Sequence, residues 1–202
     1  MSDIVNLKPE AVWRFFDEIT RIPRPSKKEE KIVAYLIDFA KSRSLEYRKD
    51  STGNVVIRKG ASPGMENRPV VVLQSHVDMV CEKRGDVNFH FDTDPIRTRV
   101  EDPEMYLYDA KRATVLGEYG GIGMAAELAV LDADDLAHGP VECLFTVDEE
   151  TGLTGAFGLG EGMLSGKYLI NLDSEDEGQL FIGCAGGARL EASFAPEYET
   201  PS

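Results

Sequence analysis

Three short stretches of the sequence follow apolar runs and carry side chains that can bind a divalent cation. They contain His76 and Asp78 in "QSHVDMV", Asp148, Glu149 and Glu150 in "FTVDEETG", and Asp173 in "INLDSEDE". Adjacent carboxylates repel one another unless water or a cation lies between them. One imidazole with several carboxylates is a ligand set for zinc or another divalent ion. The residue types therefore predict a metal site, provided that the fold brings the three stretches together.

Each of these residues also has a purely structural interpretation. His76 could be a core histidine with satisfied hydrogen bonds, and Asp173 could cap the turn "DSEDE". Glu149 and Glu150 could form the solvated start of a helix, where the helix dipole favours negative charge. We expect Asp148 to lie on the surface. The metal-site interpretation gains support because all three stretches follow predicted strands, and ligands in open α/β sheets bind beyond the carboxyl ends of the strands.

The elements that would position these side chains alternate between strands and helices. Valine-rich "RPVVVLQSH" predicts a strand buried on both faces, as in a parallel sheet, and "VECLFTV" and "KYLINLD" predict two more buried strands. "LEYRKD" and "NVVIRK" predict a strand pair around the turn "STG", and "MYLYDA" predicts a further short strand.

Helical spacing of apolar residues predicts helices at about 9–20, 26–41 and 121–131. Ser26 and Glu29 have the spacing of a capping box at the start of the second helix. "GAFGLGEGML" is a glycine-rich helix candidate. The predicted fold class is α/β, with a largely parallel or mixed sheet flanked by helices.

Composition narrows the classes of partner. The chain has 202 residues with 22 basic and 36 acidic side chains, a net charge of −14 that disfavours nucleic acids and anionic membranes as partners. Its apolar runs are all far shorter than the roughly 20 residues that span a bilayer. The three cysteines are widely spaced and odd in number, and the first residues lack a signal-peptide core. We therefore expect a cytoplasmic location.

Five ordered motifs between about residues 8 and 190 resemble the Xaa-His dipeptidases. They are "IPRPSKKEEKIVAYL", "LQSHVDMV", "LGEYGGIGMAA", "FTVDEETGLTGAFGL" and "INLDSEDEGQLFIGCAGG". These enzymes are also called cytosol non-specific dipeptidases. They belong to the zinc aminopeptidase/carboxypeptidase-like family that includes carnosinases and aminoacylases. The resemblance implies a zinc-exopeptidase-like catalytic domain that acts on dipeptides.

The resemblance also implies a role for each matching residue. His76 would ligate one zinc ion, with Asp78 behind it orienting the imidazole ring. Glu150 would ligate the other zinc ion of the pair, and Asp173 would complete the ligands of the His76 ion. Glu149 would be the general base that takes a proton from the attacking water.

The sequence departs from the family pattern at one metal ligand. Where the family has Gly-Ala-Asp-Asn-Gly-Ile-Gly, this chain reads "GEYGGIG", so Tyr119 replaces the aspartate that bridges the two zinc ions. Glu118 is one position away from that aspartate. We expect residues 1–184 to form the amino-terminal part of the catalytic domain and 185–202 to begin a lid or dimerisation domain that is not continued.

The hypothesis that follows is metal-dependent hydrolysis of dipeptides, impaired in this chain alone because neither zinc ion reaches the usual three protein ligands. One alternative is a non-catalytic, truncated remnant. Another is an N-acyl-amino-acid hydrolase or carboxypeptidase of the same family. A plain acidic binding domain would require the five motifs to be accidental. Apolar surface left by missing elements would further predict self-association.

Overall fold

The structure, a computed structural model, describes residues 3–101, 104–106, 115–116, 119–174, 178–184, 186 and 190–196, with only the backbone described within 99–120. The helices are a 3₁₀ turn at Asp3–Asn6, α1 at Glu10–Thr20, α2 at Glu30–Ser42, α3 at Tyr119–Asp132 and α4 at Thr154–Phe157. The strands are β1 at Glu46–Lys49, β2 at Val55–Lys59, β3 at Val71–His76, β4 at Glu82–Lys83, β5 at Arg99–Glu101, β6 at Glu104–Tyr106, β7 at Val115–Leu116, β8 at Val141–Thr146 and β9 at Tyr168–Asn171.

The central sheet has five strands in the order β1-β2-β8-β3-β9. β1 pairs with β2, and β2 with β8, in antiparallel orientation, whereas β3 pairs in parallel with both β8 and β9. The sheet is therefore mixed, in agreement with the predicted fold class. Since His76 pairs with Thr146 at the last position of the β3–β8 ladder, the two strands end at the same level and their following loops meet.

The two faces of the sheet are covered unequally. On one face, side chains of α1, α2 and α3 form the main core with Val55, Ile57, Cys143 and Phe145. The opposite face carries a smaller cluster that includes Val56 and Leu144, as the period-two alternation of a strand requires. The main core thus fixes β3 and β8, which lead to the candidate metal ligands.

Helix α3 lies close against the sheet because it carries a glycine at the point of contact. A Cβ on Gly123 would lie 3.0 Å from the Cβ and carbonyl oxygen of Leu172 and 3.2 Å from the Cβ of Ser75. A larger residue would push α3 away from the end of β3 and from the segment after β9. The small residue at this position therefore allows α3 to pack closely against the sheet.

Three local predictions were wrong. β9 is not buried: it is an edge strand, and Tyr168, Leu169 and Ile170 are 46–54% exposed, because the structure describes a neighbour on only one side. The glycine-rich helix candidate after "FTVDEETG" reduces to the single turn of α4. Ser26 does not cap α2, which begins at Glu30 without a side-chain cap, because its hydroxyl donates instead to Asp78.

The described residues after β9, at 178–184, 186 and 190–196, adopt no helix or strand, although "GQLFIG" and "ARLEASFA" have strand-like patterns. Within the described part of the chain, no helix is both long enough and apolar enough to cross a bilayer.

Candidate metal centre

His76 is the last residue of β3 and is nearly buried, with 3% of its surface exposed. Its Nδ1 lies 3.1 Å from an oxygen of Asp78, and its Nε2 lies 3.7 Å from an oxygen of Asp173. A carboxylate at Nδ1 favours the tautomer with the proton on that nitrogen, which leaves the Nε2 lone pair for a metal ion. Burial alone would lower the pKa of His76, but the hydrogen bond and negative charge of Asp78 raise it above its usual value.

Asp78 connects the histidine to the acidic loop after β8. Besides the contact with His76, its carboxylate accepts hydrogen bonds from the Ser26 hydroxyl at 2.8 Å and from the amides of Glu149 at 3.0 Å and Glu150 at 3.2 Å. Burial would raise the pKa of Asp78, yet the hydrogen bonds with His76, the amide of Glu149 and the hydroxyl of Ser26 hold it at about 2. Asp78 is therefore ionised at neutral pH and fixes the imidazole and the loop in one arrangement.

The acidic loop turns sharply at Asp148, whose backbone has a φ of +50°. The prediction that Asp148 lies on the surface was wrong, because its side chain is buried and accepts hydrogen bonds from the hydroxyls of Thr151 and Thr154. The amide of Asp148 donates to Glu29 at 2.9 Å. This left-handed turn reverses the chain so that the next two amides face Asp78.

Asn54, at the end of the β1–β2 turn, forms hydrogen bonds with both ends of the acidic loop. Its side-chain oxygen accepts from the amide of Val147 at 3.1 Å, and its amide nitrogen donates to the carbonyl of Gly155 at 2.8 Å. A Cβ on Gly155 would lie 2.3 Å from the carbonyl oxygen of Val147, so only glycine closes the loop here. The acidic loop is therefore anchored at both ends.

Glu149 and Glu150 project from this anchored loop toward the histidine. Ligand atoms of His76, Glu149 and Glu150, which we call the outer group, all lie within 4.8 Å of one another. Within the described part of the chain, neither glutamate side chain accepts a hydrogen bond. Burial is the main cause that raises the pKa of each glutamate, with further contributions from neighbouring carboxylates.

Asp173 belongs to the third predicted stretch and lies just after β9, which ends at Asn171. Its side chain lies near His76. Its oxygen lies 3.7 Å from His76 Nε2, which is too long for a direct hydrogen bond and leaves room for an ion between the two atoms. The structure thus brings His76, Asp78, Glu149, Glu150 and Asp173 to one edge of the sheet.

A second set of three metal-capable side chains lies behind the first. Glu29, Asp78 and Asp148, which we call the inner group, are all buried and also have ligand atoms within 4.8 Å of one another. Glu29 accepts from the amides of Lys27 and Asp148, each at 2.9 Å. The sequence analysis missed this role of Glu29, since a contact made across 119 residues leaves no local signal.

Tyr119 is the first residue of α3, but its side chain and all of Glu118 lie outside the description. Their expected positions relative to the outer group therefore stay predictions.

No family model matches the chain. Over 187 residues, 93% of its length, the chain is 44% identical to the cytosol non-specific dipeptidase of Escherichia coli and covers 38% of that protein. The crystal structure of aminoacylhistidine dipeptidase from Vibrio alginolyticus matches with 46% identity and a TM-score of 0.78, over 88% of this chain and 35% of that one. A tripeptidase from Staphylococcus aureus, 21% identical over 83% of this chain and 44% of its own, shares the fold with a TM-score of 0.65.

The chain thus spans between a third and two fifths of the length of the two dipeptidases. The identity extends over nearly all of this chain and accompanies a close match of fold, so the resemblance drawn from the five motifs is confirmed. Along almost its whole length, the chain is a relative of the Xaa-His or cytosol non-specific dipeptidases.

Proposed function

We propose that this chain carries part of the two-ion centre of a metal-dependent dipeptidase, with His76 and Asp173 as ligands of one divalent cation, Glu150 as a ligand of the other and Glu149 as general base. The observation that carries the proposal is the outer group, whose ligand atoms lie within 4.8 Å at the joined ends of β3 and β8. Two ligands of one tetrahedral zinc ion lie roughly 3.4 Å apart at bond lengths of about 2.0–2.2 Å, so ligand atoms within 4.8 Å of one another suit a pair of ions about 3.5–4 Å apart.

The donor atoms fit such an ion. Asp78 occupies Nδ1 of His76, so that Nε2 is available, and the carboxylates of Glu149 and Glu150 have no donor within the described part of the chain. Burial and neighbouring carboxylates raise the pKa of both glutamates, although His76 opposes the shift, which supports a site whose negative charge a cation would stabilise. When bound, the ion would polarise a peptide carbonyl and lower the pKa of water.

Glu149 has the position and environment of a general base. Its amide donates to Asp78 at 3.0 Å, and its carboxylate belongs to the outer group, next to the ligand atoms of His76 and Glu150. Burial raises its pKa, which strengthens a carboxylate as a base near neutral pH. Glu149 would take a proton from the attacking water and deliver it to the departing amine of the dipeptide.

Zinc content after dialysis tests the proposed site. The chain should retain zinc, and the double variant His76→Ala/Glu150→Ala should lose it. His138→Ala/Glu161→Ala is the matched control, because it removes the same residue types outside the outer group. Equal zinc content in all three proteins would show that the metal binds elsewhere, and zinc in none of them would contradict the proposal.

The second candidate function is a non-catalytic remnant, favoured by Tyr119 in place of the bridging aspartate of the resembling family. We expect hydrolysis by this chain alone to be weak, because the described residues supply His76, Asp173 and Glu150 for what would be two ions. Tyr119→Asp, in a chain extended by the carboxyl-terminal part of a dipeptidase relative, separates the candidates. Recovered dipeptidase activity supports an impaired enzyme, whereas continued inactivity supports the remnant.

The substrate class separates dipeptidase from the related hydrolases. Turnover of N-acyl amino acids in preference to dipeptides by that extended chain would favour an N-acyl-amino-acid hydrolase or a carboxypeptidase. We also extend the cytosolic location named for the E. coli relative to this chain as part of the proposal.

The proposal includes self-association through the β9 edge. Tyr168, Leu169 and Ile170 expose apolar surface on a strand with one described neighbour, and such edges pair readily with other strands. The division at residue 184 into a catalytic part and the start of a lid stays a prediction. Size-exclusion chromatography tests the association, and a clean monomer at high concentration would contradict it.

A further inference from the structure

A pocket of about 620 Å³ opens beside the outer group and shares Glu150 with it. Its other walls come from the segment before α2 and from the loop after β3, which are held together by a backbone bridge between Pro25 and Met79. The pocket is therefore built on the same two segments that position Asp78. Its volume accommodates one amino-acid residue with a large side chain.

The floor of the pocket is apolar. Met79 is buried against Ile96 in a small cluster, and Phe89 and Phe91 pack on this cluster with their rings edge to face at 5.2 Å. Met79 and both phenylalanines line the pocket. Such a floor favours an aliphatic or aromatic group.

The rim of the pocket is acidic. Among the described lining residues, Lys28 is the only cation with a fixed charge, and both oxygens of Asp92 contact its ammonium group, at 2.8 and 2.9 Å. Glu82 also lines the pocket and forms no ion pair with any side chain that the structure describes. The remaining negative charge of the rim attracts a cationic group and repels a carboxylate.

From this arrangement we propose that the pocket binds the amino-terminal residue of a dipeptide substrate. The apolar side chain would lie on Met79 and Phe91, the α-ammonium group would face Glu82, and the peptide carbonyl would point past Glu150 into the outer group. The carboxyl-terminal residue does not suit this pocket, because its carboxylate would face Glu82 and Asp92. The inference rests on the proposed function and assigns a substrate end to one side of that site.

Cys81 is a reporter inside the pocket, since it lines the pocket and its side chain is exposed. Cys143 is buried, so Cys184→Ser leaves Cys81 as the one exposed thiol among the three cysteines. The rate of Cys81 alkylation by iodoacetamide, a neutral reagent, is measured by mass spectrometry in metal-free protein. At pH 7 an α-ammonium group is mainly protonated.

Two small probes represent the two ends of a dipeptide. Leucinamide has an ammonium group and no carboxylate, whereas N-acetylleucine has a carboxylate and no ammonium group. We expect about 30 mM leucinamide to slow alkylation of Cys81 about fourfold, as weak binding of such a small molecule allows, and N-acetylleucine to leave the rate unchanged. Glu82→Gln should raise the concentration of leucinamide for half-protection about threefold, and the matched exposed control Glu161→Gln should not change it.

A second measurement avoids thiol chemistry. In protein labelled with ¹³C-methyl methionine, leucinamide should shift the Met79 resonance, assigned with Met79→Leu, and N-acetylleucine should not. No protection together with no shift would overturn the proposal, and so would equal effects of the two probes.

The zinc measurement separates this inference from the proposed function. Zinc bound without protection by leucinamide refutes the pocket alone, whereas protection without bound zinc supports the pocket and refutes the metal site.

Discussion

The inner and outer groups hold similar side chains at the same edge of the sheet, yet their surroundings differ. The inner group has donors for its carboxylates: amides, the Ser26 hydroxyl and two threonine hydroxyls. The two glutamates of the outer group have none within the described residues. The protein itself stabilises the inner charges, whereas the outer charges, of which Glu150 is exposed, are left to solvent, a cation or a proton. Clustered acidity alone therefore does not favour a metal site, whereas clustered acidity that lacks protein donors is consistent with the proposed one.

Helix α3 contains a third arrangement that extends this comparison. Glu127 is fully buried, with one oxygen bonded to the Ser75 hydroxyl and the other without a hydrogen bond. Burial raises its pKa well above its usual value. Its burial with a single donor favours the protonated form, so we expect the three sites to differ in what compensates the carboxylate: hydrogen-bond donors, a cation or a proton.

The largest effect is expected from breaking the inner group. Asp78→Ala removes the acceptor of four donors and should lower the free energy of unfolding by about 3–5 kcal/mol. Asp78→Asn keeps the shape and should instead weaken zinc binding roughly 10–100-fold. Chemical denaturation and zinc titration measure the two effects. A change below about 0.5 kcal/mol in Asp78→Ala, the size expected of a surface variant, would remove the distinction between the groups.

A smaller effect is expected from filling the outer group. Zinc at about 100 times its dissociation constant should raise the free energy of unfolding by about 2.7 kcal/mol, because the ion binds the folded state. Thermal denaturation with and without zinc measures this gain, which His76→Ala should abolish and His138→Ala should preserve. An equal gain in His76→Ala would mean that the outer group does not hold the ion.

The smallest effect concerns the protonated site. The pKa of Glu127 is raised in the folded state, so its stabilising contribution is complete below the unfolded-state value of about 4.5 and declines as the pH rises from there through the folded-state pKa. Between the unfolded-state and folded-state pKa values, the contribution of Glu127 to the free energy of unfolding declines by about 1.4 kcal/mol per pH unit. Glu127→Gln should remove this slope from the pH dependence of unfolding, and the exposed control Asp135→Asn should retain it. An unchanged slope in Glu127→Gln would show that Glu127 is ionised in the folded protein.

The sequence predicted most of what local pattern can encode. Apolar runs predicted β3 and β8. Because His76 and Glu149 follow these apolar runs, the sequence also predicted that their side chains meet at one edge of the sheet. The prediction that Asp148 lies on the surface was wrong because it has two acidic neighbours, and the sequence does not indicate which of these side chains turns inward. The conformation of the loop depends on Asn54 and Glu29, which come from distant segments. The prediction that β9 is buried was wrong because an apolar sequence indicates that burial would stabilise a strand. It does not indicate whether a neighbouring element covers that strand.

The pairing of β3 with β8 has a consequence for how the protein folds. Val71 pairs with Val141, and Val55 pairs with Phe145. The strands that lead to the candidate metal ligands therefore join residues that are 70 and 90 positions apart in the sequence. Closing such long loops costs entropy before any contact compensates, and sheets with distant pairings fold slowly. The candidate ligands therefore come together only after the long-range ladder has formed, so zinc should slow unfolding more than it speeds folding.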